Sequence, residues 1–276
     1  MKEKDMFKMD YYQTYYFANI CNSIMENQTD YLRTLDDFWG NSEINNFIKP
    51  FQKYSNLHLY IDFTIDRLLY ESNQDYIEFT TDELITKQFW INNILDYHNI
   101  RHISFKEWYQ TNSISNEDFK SSEDLIYEYS NIIEYSDYYI KLKEQMVEEV
   151  FLILFLNRKF LRKFNLNMSG ILELSDTDEI DDITLINQKN NTLKRKHIPK
   201  WAKKAIFYRD RGICTYCKKD LTGTMNISNK YHIDHIIPLA QYGLNDVSNL
   251  QLLCEFCNTS KGNRHTKISI DYEKWY

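Results

Sequence analysis

The chain has 276 residues, of which 43% are hydrophobic and 16% aromatic, with a formal net charge of −7. That apolar content supports a core and excludes a disordered chain. The longest apolar run, Val150 to Leu156, is too short to cross a bilayer, and the charged start at Met1 to Asp5 has no apolar signal segment, so a cytoplasmic chain without a membrane partner is expected. The charge is unevenly spread: residues 191–276 carry 15 Lys/Arg against 7 Asp/Glu, and residues 1–190 carry 18 against 33. A basic stretch can neutralise phosphates, so nucleic acid is the expected partner at that end. The acidic stretch would repel a polyanion. It points to a protein partner or self-association, or it merely keeps that part soluble.

Hydrophobic spacing predicts mostly helix over the first 165 residues. Asp30 to Trp39 reads as a short helix stopped by Gly40. Leu57, Leu59, Ile61, Phe63 and Ile65 alternate with polar residues, while Leu57, Ile61, Ile65 and Leu68 also fit a helical stripe. The β-branched and aromatic content favours a strand slightly. Thr80-x-x-Glu83 has the pattern of a capping box, in which a hydroxyl and a carboxylate satisfy free amides at a helix start; its helix is expected to reach about Tyr97. Ser104-x-x-Glu107 repeats the pattern. Ser136 is expected to cap a long helix reaching about Phe164, with Tyr139, Leu142, Met146, Val150 and Ile153 on one face. Residues 166–191, with an acidic run from Asp176 to Asp182, read as a linker. A basic run, Lys194 to His197, precedes Pro199, which suits the first turn of a helix over Lys200 to Arg209. Lys203 and Lys204 lie on that helix as candidate nucleic-acid contacts.

Chemistry concentrates near the C-terminus. Cys214-x-x-Cys217 and Cys254-x-x-Cys257 bracket the segment Tyr231 to Pro238. Two such pairs can offer four thiolates to one zinc ion, and a closed four-thiolate site leaves no position for water, so it is structural. Cys21 remains unpaired, which argues against a disulfide scaffold. Between the pairs stand Asp234 and His235, with Asn258 just beyond. Phosphodiester cleavage needs a base for water, a role that histidine suits, and a cation that carboxylate and amide oxygens can hold. By spacing alone, a buried polar trio that caps backbone ends fits about as well.

The wider pattern carries more. Arg209-Asp210-Arg211-Gly212-Ile213-Cys214-x-x-Cys217 is followed by Ile233-Asp234-His235-Ile236-Ile237-Pro238, and then by Gly243-x-x-Asp246-x-x-Asn249-Leu250. Leu252-Leu253-Cys254-x-x-Cys257-Asn258-x-x-Lys261 completes it. In order and spacing these elements resemble the HNH endonucleases, or ββα-metal nucleases. The resemblance covers Ile198 to Arg264. It implies His235 as general base, Asn249 as the residue that holds the inter-strand loop, and Asn258 in the third motif position, where many members have histidine. It also implies Asp234 and Asn258 as holders of Mg²⁺ or Mn²⁺ and a structural zinc on the four cysteines; Lys261 and Arg264, three residues apart on the helix expected after the second cysteine pair, could touch phosphates or simply form an exposed basic face.

Asp234 and His235 are neighbours, which on a regular strand face opposite sides. They meet at one phosphate only if the strand bends; otherwise His232 and Asp234 share a face.

The expected fold is α+β. A mainly helical domain over 1–165 precedes an acidic linker over 166–191 and a zinc-stapled ββα-metal domain over 192–276. The last is expected to have strands at Tyr231 to Ile236 and Leu250 to Leu253 and a helix from Asn258 to about His265. The expected function is a metal-dependent endonuclease acting on DNA. An effector role in restriction or antiphage defence rests on architecture alone. The alternative is a zinc-stapled module that binds nucleic acid without cutting it.

Overall fold

The computed structural model describes residues 6, 8–41, 44–112, 121–176, 180–223, 230–263 and 265–274. Its helices are α1 (Thr14–Glu26), α2 (Leu32–Asn41), α3 (Ile44–Phe47), α4 (Asn56–Gln74), α5 (Thr81–Thr86), α6 (Trp90–Tyr97), α7 (Phe105–Thr111), α8 (Ser122–Glu134), α9 (Asp137–Leu156) and α10 (Arg158–Leu174). The strands β1 (Ile186–Asn187) and β2 (Thr192–Leu193) follow, then α11 (Lys200–Arg209), β3 (Tyr231–His235), β4 (Leu250–Cys254) and α12 (Glu255–Lys261). The class is α+β, helical over most of its length, with two antiparallel two-stranded sheets, β1–β2 and β3–β4. Among the described residues no helix is long and apolar enough to cross a membrane.

Contacts divide the chain into two compact units: residues 1–19 with 61–151, and residues 20–60 with 152–276. These bounds do not follow the expected breaks at 165 and 191. The first unit is built on local signals. Thr80, Ser104 and Ser121 each complete a capping box, at the starts of α5, α7 and α8. Phe89, Phe105, Trp108 and Tyr129 pack ring against ring, with Phe105 lying 5.3 Å from both Phe89 and Tyr129 between centroids. The buried Tyr129 hydroxyl accepts from Asn92 Nδ2 (2.7 Å) and donates to the Ile103 carbonyl (2.8 Å), so the hydroxyl is satisfied both as donor and as acceptor.

Several expectations give way to packing. Residues 57–65 belong to helix α4, because Leu57, Tyr60, Ile61, Ile65 and Leu69 are buried at helical spacing. Helix α2 runs through Gly40 to Asn41. One glycine costs about 1 kcal/mol in a helix, less than burial of Leu35 and Phe38 supplies. The helix begun at Thr80 stops at Thr86, where Lys87 is extended, and the buried Phe89 caps α6. Ser136 caps α9 through its hydroxyl, which accepts from Tyr139 N (3.3 Å). That helix ends at Leu156 and not at Phe164, because extended Asn157 caps a new helix by accepting from Phe160 N (3.1 Å). Of its expected face, Tyr139, Leu142, Met146 and Val150 are buried and Ile153 is half-buried.

The second unit gathers the site. Much of the expected linker is structured: α10 continues to Leu174 because Phe160, Phe164, Met168 and Leu172 bury one face, and residues 186–193 form the β1–β2 hairpin. Tyr60, Phe160 and Phe164 pack together, and the Tyr60 hydroxyl donates to the Cys21 carbonyl (2.9 Å). Helix α11 spans the expected Lys200–Arg209, with Pro199 as its N-cap. At the far end of α11, Arg209 grips Asp210 with two hydrogen bonds (2.9 and 2.8 Å) and donates to the Leu250 carbonyl (2.7 Å). Asp210 in turn accepts from Leu252 N (2.9 Å). This buried pair fixes α11 against β4.

Candidate active site and metal centre

The four cysteines arrive from two tight turns. Lys218 N donates to the Cys214 carbonyl (3.0 Å) and Cys214 N donates to the Lys219 carbonyl (2.8 Å), with Lys218 in the left-handed region at φ 63°. Thr215 N donates to the Leu252 carbonyl (3.0 Å), which ties this turn to β4. Cys254 ends β4 and caps α12, accepting from Cys257 N at 3.4 Å. The four Sγ atoms all lie within 4.8 Å of one another, and Cys217 to Cys254 is 3.7 Å. A tetrahedron with Zn–S bonds of about 2.3 Å has edges of about 3.8 Å, so the cluster suits zinc. Burial, reinforced by the neighbouring thiols, pushes the Cys257 thiol up, and a divalent cation reverses that preference by stabilising thiolates.

Strand β3 pairs with β4 in a register that sets Asp234 opposite Gln251 and His235 opposite Leu250. β3 ends at His235, and α12 starts at Glu255 and ends at Lys261, shifted towards the N-terminus from the expected Asn258 to His265. The intervening loop is pinned by the fully buried Asn249. Its Oδ1 accepts from Ile237 N (2.8 Å), and its Nδ2 donates to the carbonyls of Ile237 and Leu244 (3.0 Å each). Its own carbonyl accepts from Ile236 N (2.6 Å), immediately after His235. Gly243 lets the loop close, since a Cβ there would stand 1.9 Å from the Ile237 carbonyl oxygen.

Asp234, His235 and Asn258 line one cleft of about 520 Å³. Both neighbours reach it because the strand ends at His235. His232 does not line it, so the face shared by His232 and Asp234 is not the one used. His235 is 1% exposed, and among the described residues neither ring nitrogen has a hydrogen-bond partner. Its pKa is lowered to about 4, chiefly by burial and then by the Arg195 charge, against the opposite effects of Asp234 and the nearby Asn245 side chain. The imidazole is therefore neutral at pH 7, with a lone pair available.

Lys261 departs from expectation. It is buried, donating to Asp234 Oδ2 (2.7 Å) and to the His235 carbonyl (2.7 Å), and so is not an open phosphate contact. The ammonium is drawn inward because a partly buried carboxylate requires a partner. Arg264 lies outside the described residues. Lys204 is exposed and Lys203 half-buried on α11, and neither lines the cleft. His265 is exposed.

The far wall of the cleft comes from the hairpin: Asn187, Leu193, Lys194 and Arg195. The basic run marked the last two in the sequence. Asn187 and the hairpin itself carried no signal beyond a short turn-rich stretch.

Residues 214–264 match the HNH endonuclease family model. The HNH segment thus spans both cysteine pairs, β3, β4 and α12, and contains His235, Asn249 and Asn258. The hairpin and α11 precede it. No curated protein and no solved structure matches the chain. An HNH segment points to nuclease chemistry on nucleic acid.

Proposed function

We propose that the chain is a metal-dependent HNH endonuclease that hydrolyses phosphodiester bonds in DNA. The observation that carries this reading is the neutral, unpartnered imidazole of His235 in the same cleft as the oxygen donors of Asp234 and Asn258. A module that only binds nucleic acid needs none of these three.

In this reading His235 takes a proton from water, the water oxygen attacks phosphorus, and the bond to the 3′ oxygen breaks; that oxygen takes up a proton from solvent, leaving a 5′-phosphate and a 3′-hydroxyl. Asn249 holds the loop that follows His235 and so helps set the orientation of the ring. Asp234 and Asn258 would hold Mg²⁺ or Mn²⁺. The donor set fits a hard cation: Lys261 engages one carboxylate oxygen, and the second carboxylate oxygen with the amide oxygen leaves remaining positions to water. Such a cation supplies charge stabilisation at the phosphoryl group. Zinc on Cys214, Cys217, Cys254 and Cys257 keeps the scaffold closed. Lys203 and Lys204 would touch backbone phosphates without reading bases, as would Arg264.

The acidic N-terminal stretch would bind a protein partner or self-associate. A cytoplasmic defence nuclease, with a sensing part in the helical N-terminal portion and an effector in the C-terminal portion that includes the β1–β2 hairpin, is the setting we favour. The test is cleavage of supercoiled plasmid and of duplex, single-stranded and RNA substrates with Mg²⁺, Mn²⁺ or Zn²⁺, with and without EDTA. His235→Ala should lower the rate at least 10³-fold while zinc content and melting stay unchanged. Cutting retained by that variant rejects His235 as the base; binding without any cutting by the unaltered chain supports the binding-module reading instead.

A further inference from the structure

We infer that Arg195 contacts the scissile phosphate, and that the β1–β2 hairpin, which lies outside the HNH match, is the wall that puts it there. This rests on the nuclease reading above.

The hairpin is built into the site. Ile186, Thr192 and Leu193 are buried, and the turn between the strands closes when Asn190 N (3.2 Å) and Asn191 N (2.9 Å) donate to the Asn187 carbonyl. Asn191 takes the left-handed conformation (φ 53°) that the turn requires. The chain leaving β2 is then held at two points. Lys194 N donates to the Leu185 carbonyl (2.8 Å), and the Lys194 carbonyl accepts from Nδ2 of the buried Asn245 (2.9 Å), in the loop that Asn249 pins. The backbone just before Arg195 is therefore fixed to the loop that follows His235.

The cations around the cleft differ in what they are free to do. Lys261 is buried against Asp234, and Lys194 Nζ donates to the Thr184 carbonyl (3.2 Å). Arg195 is exposed, lines the cleft with Asp234, His235 and Asn258, and has no ion-pair partner among the described residues. A guanidinium lining the same cleft as these oxygen donors, with no ion-pair partner among the described residues, suits a phosphodiester whose two non-bridging oxygens can accept both its N–H groups. Such a contact strengthens as charge builds on those oxygens, so it acts on the chemical step more than on binding.

The test uses the full-length chain, Mg²⁺ and a fluorophore-labelled duplex DNA, comparing Arg195→Gln, Arg195→Lys and Lys203→Gln/Lys204→Gln. Arg195→Gln should lower kcat about 10²-fold with a small change in KM, and Arg195→Lys should recover about tenfold of that loss, since it restores charge without the fork. The double lysine variant should raise KM and flatten its salt dependence while kcat holds. Zinc content and melting should match the unaltered chain in every case, because the exposed Arg195 side chain has no hydrogen-bond or ion-pair partner among the described residues. The inference is overturned if Arg195→Gln stays within threefold of the unaltered kcat while His235→Ala is inactive, or if its whole effect falls on KM. An unaltered chain inert on every substrate overturns the nuclease reading itself, and this inference with it.

Discussion

The segment from Cys214 to Lys261 and the helical stretch from Ile61 to Phe151 are held together in opposite ways. In the first, the strands and the helix are only five to seven residues long, and β4 is buried along its whole length. Order there comes from a few points of high consequence: four clustered cysteines that suit zinc, the Arg209–Asp210 pair just before the segment, and one asparagine with three side-chain hydrogen bonds. In the second, order comes from many small contributions, with capping boxes at α5, α7 and α8 and an aromatic cluster around Phe105. A catalytic cleft needs side chains held from several directions, which concentrated constraints supply. A helical body needs only that each helix start in the right place and bury one face.

The sharpest way to break this comparison is to remove the ion. Stripping zinc, or Cys254→Ser, should cost the C-terminal segment about 10 kcal/mol, the range of structural zinc sites, enough to unfold it. Hydrogen exchange read by mass spectrometry should show amide protection lost across β3, β4 and α12 and kept in α8. An unchanged melting profile in a chain shown by elemental analysis to hold no zinc would falsify the clamp. Next in size is Gly243→Ala. The added Cβ meets the Ile237 and Pro238 carbonyl oxygens at 1.9 and 2.9 Å, and these are backbone atoms that cannot swing aside. The expected cost is about 3 kcal/mol, with cleavage reduced because the Asn249 bonds to Ile237 must open. A variant that melts with the unaltered chain and cuts at its rate would show that the loop is not closed this tightly.

The same contrast explains what could be read in advance. The cysteine cluster was legible because a four-thiolate site demands particular atoms at particular spacings; His235, Asn249 and Asn258 were singled out by the resemblance to the HNH pattern, and the structure sets the first and last in one cleft and the second in the loop beside it. The caps at Thr80 and Ser104 were legible because a capping box is local. Lys261 was misread because sequence shows a charge and not the partner that Asp234 provides. The helix at 57–65 was misread because Leu59 and Phe63 mimic strand alternation, and only burial of Tyr60 and Leu69 fixes the helical period. The hairpin at 186–193 was hidden: two-residue strands have no periodicity, and what holds them is Asn245, far along the chain.

The smallest effect tests the other half of the contrast. Thr80 closes its box twice over: its hydroxyl accepts from Glu83 N (3.4 Å), while Glu83 Oε2 accepts from Thr80 N (2.8 Å) and from the same hydroxyl (2.9 Å). Thr80→Ala removes the hydroxyl and leaves the carboxylate bond to the backbone amide, so α5 loses one cap and keeps the other. The expected result is a Tm lower by about 2–4 °C, with zinc content, kcat and KM unchanged. Adding Ser104→Ala should deepen the drop by a similar step, because the two boxes share no residue and their costs should add. If either variant instead lowers Tm by tens of degrees, the helical stretch depends on single points as the zinc segment does, and the distinction drawn between them fails.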